Sequence, residues 1–296
     1  MPGTRSDAPL ARIVADFLGN PLAIAGVVLL ALVAGVALFA PLISPQNPYD
    51  LAQLDVLDAR LPPGAQSASG HTFWLGTDDQ GRDMLSAIFY GLRTSLVVGV
   101  VSTLIALAVG LAAGLFAAWA GGRGEALVMR IVDLQLSFPA ILIALILIAA
   151  LGQGTGKVIV ALVTVQWAYY ARTVRGAALV EKRREYIEAA RGLALPPSRI
   201  VFRHLMPNCL PPVIVIATVQ VAAAITLEAT LSFLGLGLPI TEPSLGLLIA
   251  NGYQYLLSGR YWMSFFPGIA LVVTIVAVNL VADQLRDTLN PRLATT

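Results

Sequence analysis

An all-α, polytopic membrane protein built on six transmembrane helices is the fold class this sequence predicts, on three observations. Of the 296 residues, 57% are hydrophobic and only 12% charged, with a mean hydropathy of +0.79. Soluble domains carry about 25% charged residues, so this chain has too little charge to cover a water-facing surface. Six apolar stretches, each long enough to cross about 30 Å of hydrocarbon, lie near residues 21–42, 95–119, 127–150, 157–179, 210–234 and 265–284. An even number of spans puts both termini on one side. Placing them inside assigns 14 of the 19 Lys and Arg residues to the cytoplasm, and leaves Arg60, Arg82, Arg93, Lys157 and Arg260 outside. The positive-inside rule therefore predicts a chain with N and C termini both cytoplasmic.

The elements follow in order. Pro21 to Leu42 contains no charge. The run is too long for a cleavable signal peptide, and residues 41–48 lack a small-residue cleavage site, so it is read as a retained span. Residues 43–93 are rich in Pro, Gly, Asp and Gln and are expected to fold as an extracytoplasmic element. Within it, Asp83 to Leu92 is expected as a short helix capped by Thr77-Asp78-Asp79. The second span is rich in Gly and Ala between Gly99 and Gly121, which suits close helix–helix approach. The third and fourth carry Arg130, Asp133, Arg172 and Arg175 near their ends, with Gly152 to Lys157 as a tight external turn between them. The loop from Pro239 to Phe266 carries Trp262 and several Tyr and Phe residues, as expected at the headgroup level. Three parts result: 1–93, with a cytoplasmic tail, the first span and the external segment; 94–287, the main helical domain; and 288–296, a cytoplasmic tail.

The chemistry is sparse. Gly152 to Lys157 superficially resembles a phosphate-binding loop, but the first Gly is one residue too close and Val158 replaces the hydroxyl that would bind magnesium. No nucleotide site is expected in this chain. Its two histidines, His71 and His204, fall on opposite sides of the membrane. A metal pair or a nucleophilic dyad needs its groups within about 3 Å, so no metal site and no catalytic residue is assigned. Charged groups in a bilayer are costly and are functional candidates by default. Glu228 is the deepest and has no sequence neighbour to neutralise it; it either lines a translocation path or bonds a partner subunit. Asp133 is a second path candidate, with Arg130 at i, i−3 as a local partner, and Asp283 has Arg286 at the same spacing.

The most informative segment is polar. Between the fourth and fifth spans, residues 181–207 form the longest cytoplasmic piece, and their pattern is helical. From Glu181, the residues Ile187, Ala190 and Ala194 fall on one stripe, with Tyr186 and Leu193 beside it, while Glu181, Arg184, Glu185, Glu188 and Arg191 lie on the polar side. Pro196-Pro197 stops this helix. Ser198 is placed to cap a second short helix, Arg199 to Leu205, ended by Pro207.

Glu188-Ala189-Ala190, followed by Arg203-His204-Leu205-Met206-Pro207-Asn208, resembles the EAA loop of the dipeptide/oligopeptide class of ABC-importer permeases. Phe73 to Asp83 resembles the segment preceding the second span in the second permease subunit of that class. Arg130-Ile131-Val132-Asp133 with Phe138-Pro139, Leu231 to Gly237, and Leu285-Arg286-Asp287 with Asn290 to Leu293 extend the likeness over most of the chain from about residue 20. One departure is that the family glycine four residues after the second Ala of the motif is here Ala194, with a glycine earlier at Gly192. Because a non-glycine residue in the left-handed region costs about 1 kcal/mol, a shifted turn is expected there.

The resemblance implies a type I ABC-importer permease fold in a bacterial inner membrane. It implies a homologous permease as partner, two cytoplasmic ATPases that consume ATP and Mg, an extracytoplasmic solute-binding protein, and no cofactor on this chain. ATPase coupling would fall on Tyr186, Glu188, Ala189, Ala190, Arg191, Gly192, Ala194, Arg199, His204 and Pro207. Glu188 would hold the coupling helix by local polar contacts, and Arg191 and Arg199 would face the ATPase. Di- or oligopeptides are the leading solute, with nickel chelates, glutathione and opines carried by related machinery. An ion-coupled secondary transporter is the alternative of another class. It would need ion-coupling residues and paired inverted repeats, of which the sequence shows one isolated acid and no repeat.

Overall fold

The computed structural model describes residues 17, 19–50, 54–67 and 70–289. The two expected cytoplasmic tails, with Arg5, Arg12 and Arg292, lie almost wholly outside that range.

Nine helices organise the described residues. Helix α1 (Pro21–Ile43) is capped by Asn20, whose side chain accepts from the Leu22 N–H. A two-stranded antiparallel hairpin follows, β1 (Ala65–Gln66) with β2 (Thr72–Phe73). Then come α2 (Met84–Ala120), α3 (Gly122–Leu136), α4 (Ala140–Leu151) and α5 (Thr155–Glu181). The charged segment gives α6 (Glu185–Gly192). The chain continues through α7 (Pro197–Phe233), α8 (Leu245–Tyr253) and α9 (Trp262–Leu289).

By length and apolarity α1, α2, α7 and α9 can cross a membrane; α3 and α4 pass the same test together but are bent by 90°. The 127–150 span is therefore broken. Its break falls at Ser137-Phe138-Pro139, where Pro139 forms the cap of α4 and cannot continue the α3 hydrogen-bond ladder. Helix α5, the fourth expected span, has ample length at 27 residues, but Lys157, Arg172, Arg175 and Glu181 keep it below that apolarity.

Three further expectations are corrected. The short helix at Asp83–Leu92 is the first part of α2, which runs unbroken for 37 residues; its cap is Asp83, accepting from the Ser86 N–H, and not Thr77-Asp78-Asp79. The second short helix does not stop at Pro207 but runs on into α7. A π-helical turn, Ile200–Leu205, lets Met206 donate to the Val201 carbonyl, so the helix is already in a widened register where proline withholds its N–H. Ser198 caps nothing, because Pro196 takes the cap position and Pro197 the first helical one. The external loop contains the buried helix α8, whose Leu245, Leu247, Leu248 and Gly252 pack inward. Trp262 is itself only 7% exposed, whereas Tyr253, Tyr261 and Phe265 of the same loop are exposed.

Packing is closest between α2 and α5. A Cβ at Gly114 would stand 2.6 Å from the Ala171 carbonyl oxygen, and one at Gly110 would collide with Tyr170. This Gly-x-x-x-Gly stripe lets the two backbones touch, since in lipid helix association rests on such packing. At the end nearest α6, helices α2, α5 and α7 share a cluster of Ala106, Leu115, Tyr170, Val174, Leu205, Cys209 and Val213. At the opposite end α1, α2, α8 and α9 meet through Val33, Met84, Ile88, Leu245 and Trp262.

Candidate functional site

Helix α6 stands off the bundle on the α5–α7 connection and is amphipathic. Ile187 and Ala190 are buried at 0% and 5% exposure and pack with Ile200, Leu195 and Trp119. Glu188, Ala189, Arg191 and Gly192 lie on the exposed side, with Leu193 75% and Tyr186 39% exposed. The expected stripe is thus present for Ile187 and Ala190. It is not present for Ala194, which is exposed and whose inward place is taken by Leu195.

The end of α6 explains this. Ala194 sits at φ +52°, in the left-handed region. The Leu195 N–H donates to the Ala190 carbonyl (3.2 Å) and the Ala194 N–H to the Arg191 carbonyl (2.9 Å). This is the Schellman pattern, with Ala194 at the position that glycine usually fills and Leu195 folding back on Ala190. The turn keeps its geometry, and the missing glycine is accommodated as strain, contrary to the expected shift. The apolar contact of Leu195 with Ile187, Ala190 and Trp119 offsets a cost of about 1 kcal/mol.

Trp119, at the last turn of α2, is the hub on which α6 rests. The Arg191 guanidinium and the Lys182 ammonium both lie 5.6 Å from its ring centroid, within cation–π range. Lys182 Nζ also donates to the carbonyls of Ala118 (2.7 Å) and Trp119 (3.3 Å), satisfying acceptors left free at a helix C-terminus. Burial and then the neighbouring Arg191 lower the Lys182 pKa, with Glu125 acting against them. The Arg191 charge packs along the indole, with the residue as a whole still exposed. The Glu188 side chain makes no ion pair or hydrogen bond among the described residues. The local polar contacts expected of it are made by Tyr186, whose hydroxyl donates to Glu181 (2.6 Å), and by Arg184 with Glu181 at 3.7 Å. Burial first, and that carboxylate second, push the Tyr186 hydroxyl up to about 12.

Of the remaining coupling candidates, Arg199 and Pro207 are exposed, and His204 is half-buried in the π-turn, its carbonyl accepting from the Asn208 amide (2.7 Å). The acids of the spans occupy different ground. Glu228 is at 0% exposure, accepting from Ser95 Oγ of α2 (2.9 Å) and from Ser232 Oγ (2.8 Å). It fastens α7 to α2 and is wholly buried within the chain. Asp133 does not pair with Arg130 but with Arg172 on α5, both side chains exposed. Asp283 and Arg286 form no ion pair among the described residues. Sequence reasoning missed Trp119 and Leu195. A tryptophan beside the Gly121-Gly122 pair, at the mouth of the charged connection, was the available signal for the first.

With this geometry in view, the chain was compared with known proteins. Residues 110–295 match the family model described as the binding-protein-dependent transport system inner membrane component, and residues 8–63 match the N-terminal transmembrane domain of oligopeptide transport permease C. The di/tripeptide transport system permease protein DppC of Pseudomonas aeruginosa (strain UCBPP-PA14) is 35% identical over 286 residues, covering 97% of this chain and 93% of the relative. The oligopeptide transport system permease protein OppC of Bacillus subtilis (strain 168) is 35% identical over 277 residues, 94% of this chain and 88% of that one. Among solved structures, a chain of the MetNI methionine ABC transporter in an inward-facing conformation aligns with a TM-score of 0.57 at 24% identity. The alignment covers 70% of this chain and 98% of that chain, so the fold of an ABC-importer permease is shared. A coupling protrusion seated on the end of α2, a glycine-packed helical bundle and these likenesses together identify the chain as a member of the binding-protein-dependent transport system inner membrane component family, of the dipeptide/oligopeptide ABC permease class.

Proposed function

We propose that this chain is one of two permeases in an ATP-driven, binding-protein-dependent importer of di- or oligopeptides, crossing a bacterial inner membrane six times with both termini cytoplasmic. The peptide assignment is supported by the names of the relatives, which are di/tripeptide and oligopeptide transport permeases. The six crossings follow when the bent pair α3–α4 counts as one pass and α5 as another. The inward orientation is supported by the distribution of Lys and Arg. A homologous permease would complete the path. Two ATPases would dock on residues 181–207 and supply ATP hydrolysis, with no cofactor held by this chain, and an external binding protein would deliver solute.

The observation that carries the reading is the two-sidedness of α6. Its inner face is fixed by Ile187, Ala190 and Leu195 on Trp119, while the side chains of Glu188 and Leu193 are presented outward with no work to do inside this chain. An ATPase drives a switch of access only through contacts that differ between the two states, and this outward face offers them. Closure of the ATPases would displace α6 and, through its connections, move α5 and α7. Because the Glu188 side chain has no partner among the described residues and Leu193 is largely exposed, Glu188→Lys and Leu193→Asp spare the fold. The test is ATPase activity of the full complex in liposomes, with solute-loaded binding protein outside. Both variants are expected to assemble into membranes and lose stimulation. Full stimulation in both would remove the coupling role from α6, and ion-driven uptake by this chain alone would replace the importer with a secondary transporter.

A further inference from the structure

On the flank of the bundle where α4, α5 and α7 meet, an open groove of about 500 Å³ is lined by Gln166, Tyr169, Gln220, Thr226 and Thr230 among apolar residues. That volume lies within the range of about 300–1,000 Å³ common for small-molecule sites. Gln220, Ala223, Thr226 and Thr230 recur at three- and four-residue spacing and so share one face of α7. From Gln220 to Thr230 the stripe climbs about 15 Å along the helix, at 1.5 Å per residue.

The polar groups on this face are arranged to stay available. Thr226 and Thr230 donate their hydroxyl protons to the carbonyls of Ala222 and Thr226 (2.8 Å each), which leaves oxygen lone pairs turned outward. Gln166 Nε2 is fixed on the Gln220 carbonyl (3.0 Å). The Gln220 amide and the Tyr169 hydroxyl, which is 42% exposed as a residue, make no hydrogen bond among the described residues. Facing lipid, these groups would have nothing to pair with; such a stripe belongs against water or a polar solute. No charged residue lines the groove. The nearest charges on the same side of α5, one turn beyond Tyr169, are Arg172 and Asp133, which neutralise one another. Glu228 lies on the other side of α7, bound to Ser95 and Ser232.

We propose that this groove is the chain's wall of the solute path, and that it passes peptides through neutral hydrogen bonds and is therefore indifferent to their charge. The inference rests on the importer reading and names the residues and the selectivity within it. A peptide carries both signs of charge at its ends. A fixed carboxylate or guanidinium on the wall would hold one end and repel the other, whereas amide and hydroxyl groups replace water at either end without trapping it, and a conducting path requires contacts weak enough to release. Selection among peptides then belongs to the delivering protein, and Gln220, at one end of the stripe with its side-chain amide unpaired among the described residues, is the wall residue most able to impose a charge preference if altered.

The test uses the whole assembly in liposomes and measures uptake of an acidic, a neutral and a basic dipeptide, each saturating the binding protein. The native rates are expected to agree within about threefold. Gln220→Glu should depress the acidic dipeptide relative to the basic one by about tenfold, and Gln220→Lys should reverse the order; the size follows from one unit charge acting at close range in a partly wet groove. Unaltered ratios in both charged variants, or a native preference of about tenfold, would overturn the proposal. A second measurement does not depend on turnover. Thr226→Cys should react with a membrane-impermeant cationic thiol reagent, while Leu32→Cys on the outer face of α1 stays protected, Cys209 being buried and silent. Equal protection of both positions would place the groove in lipid and sink the proposal. An assembly that lacks stimulated hydrolysis while its Thr226→Cys variant is still labelled would overturn the importer reading and leave the wet groove standing.

Discussion

The two ends of the bundle are held by different chemistry. Outside, polar groups lock the segment before α2 to the loop before α9. Arg82 is fully buried; its Nε donates to Asp78 (2.6 Å) and its Nη1 to the Ile240 carbonyl (3.2 Å). Thr77 accepts from the Leu61 N–H and donates to the Asp58 carbonyl, and Trp262 Nε1 donates to the Thr77 carbonyl. Inside, α6 is held by a small apolar seam, two cations on one indole and a strained turn. Buried hydrogen-bonded charge enforces one arrangement because any other leaves groups unpaired. An apolar seam at a surface tolerates sliding and repacks at low cost. The end at Arg82 is therefore a fixed frame, and the end at α6 is the one that yields more readily.

The largest expected effect breaks the frame. Arg82→Ala leaves Asp78 buried without its partner and should cost about 3–5 kcal/mol, read as a lowered unfolding midpoint of the detergent-solubilised protein. A loss below about 1 kcal/mol would mean the pair is no more than a surface bridge and the contrast is false. Next, Ile187→Ala removes the buried anchor of α6. It should cost about 2–3 kcal/mol, but locally: amide exchange over 185–195 accelerates while the rest of the bundle keeps its protection. Global destabilisation instead would show that the protrusion and the bundle are one cooperative unit.

Smaller changes sharpen the comparison. Ala194→Gly relieves the left-handed turn and should slow exchange over α6 by a factor equivalent to about 1 kcal/mol. No change would locate the compensation for that strain elsewhere than in the turn itself. The smallest effect depends on pH. The Tyr186 hydroxyl, raised from 10.0 to about 12 in the folded chain, holds its proton longer than in the unfolded chain. Its contribution is whole below pH 10 and is lost as pH rises through about 12. The denaturation midpoint of the native chain should therefore fall more than that of Tyr186→Phe across this interval. Parallel curves would sever the Tyr186–Glu181 link.

Much of this arrangement was written in the sequence where a single period carried the information. The uncharged run from Pro21 became α1 almost residue for residue, and the stripe Ile187–Ala190 became the buried face of α6. What was illegible depended on partners far along the chain. Glu228 is plainly deep from its position, but its role is set by Ser95, more than a hundred residues away. Phe138-Pro139 was visible, yet the length of the apolar run outweighed it and concealed the right-angle break. The helix Leu245–Tyr253 was too short for a span and too buried for a loop. The polar face of α7 escaped notice for another reason: glutamine and threonine inside an apolar run raise no charge, so a search for acids and bases passes over them.

Helix α2 joins the two ends compared above. Its 37 residues make a rod about 55 Å long, gripped at Asp83 by the outer frame and touched at Trp119 by α6. A rod held at one end behaves as a lever. Moving the Trp119 end sideways by about 5 Å, one helical pitch, needs a tilt of only about 5°, with almost no travel at the pivot. Large strokes at the α6 end are thus compatible with an opposite end that hardly stirs, and helices packed along the rod move in proportion to their distance from the fulcrum.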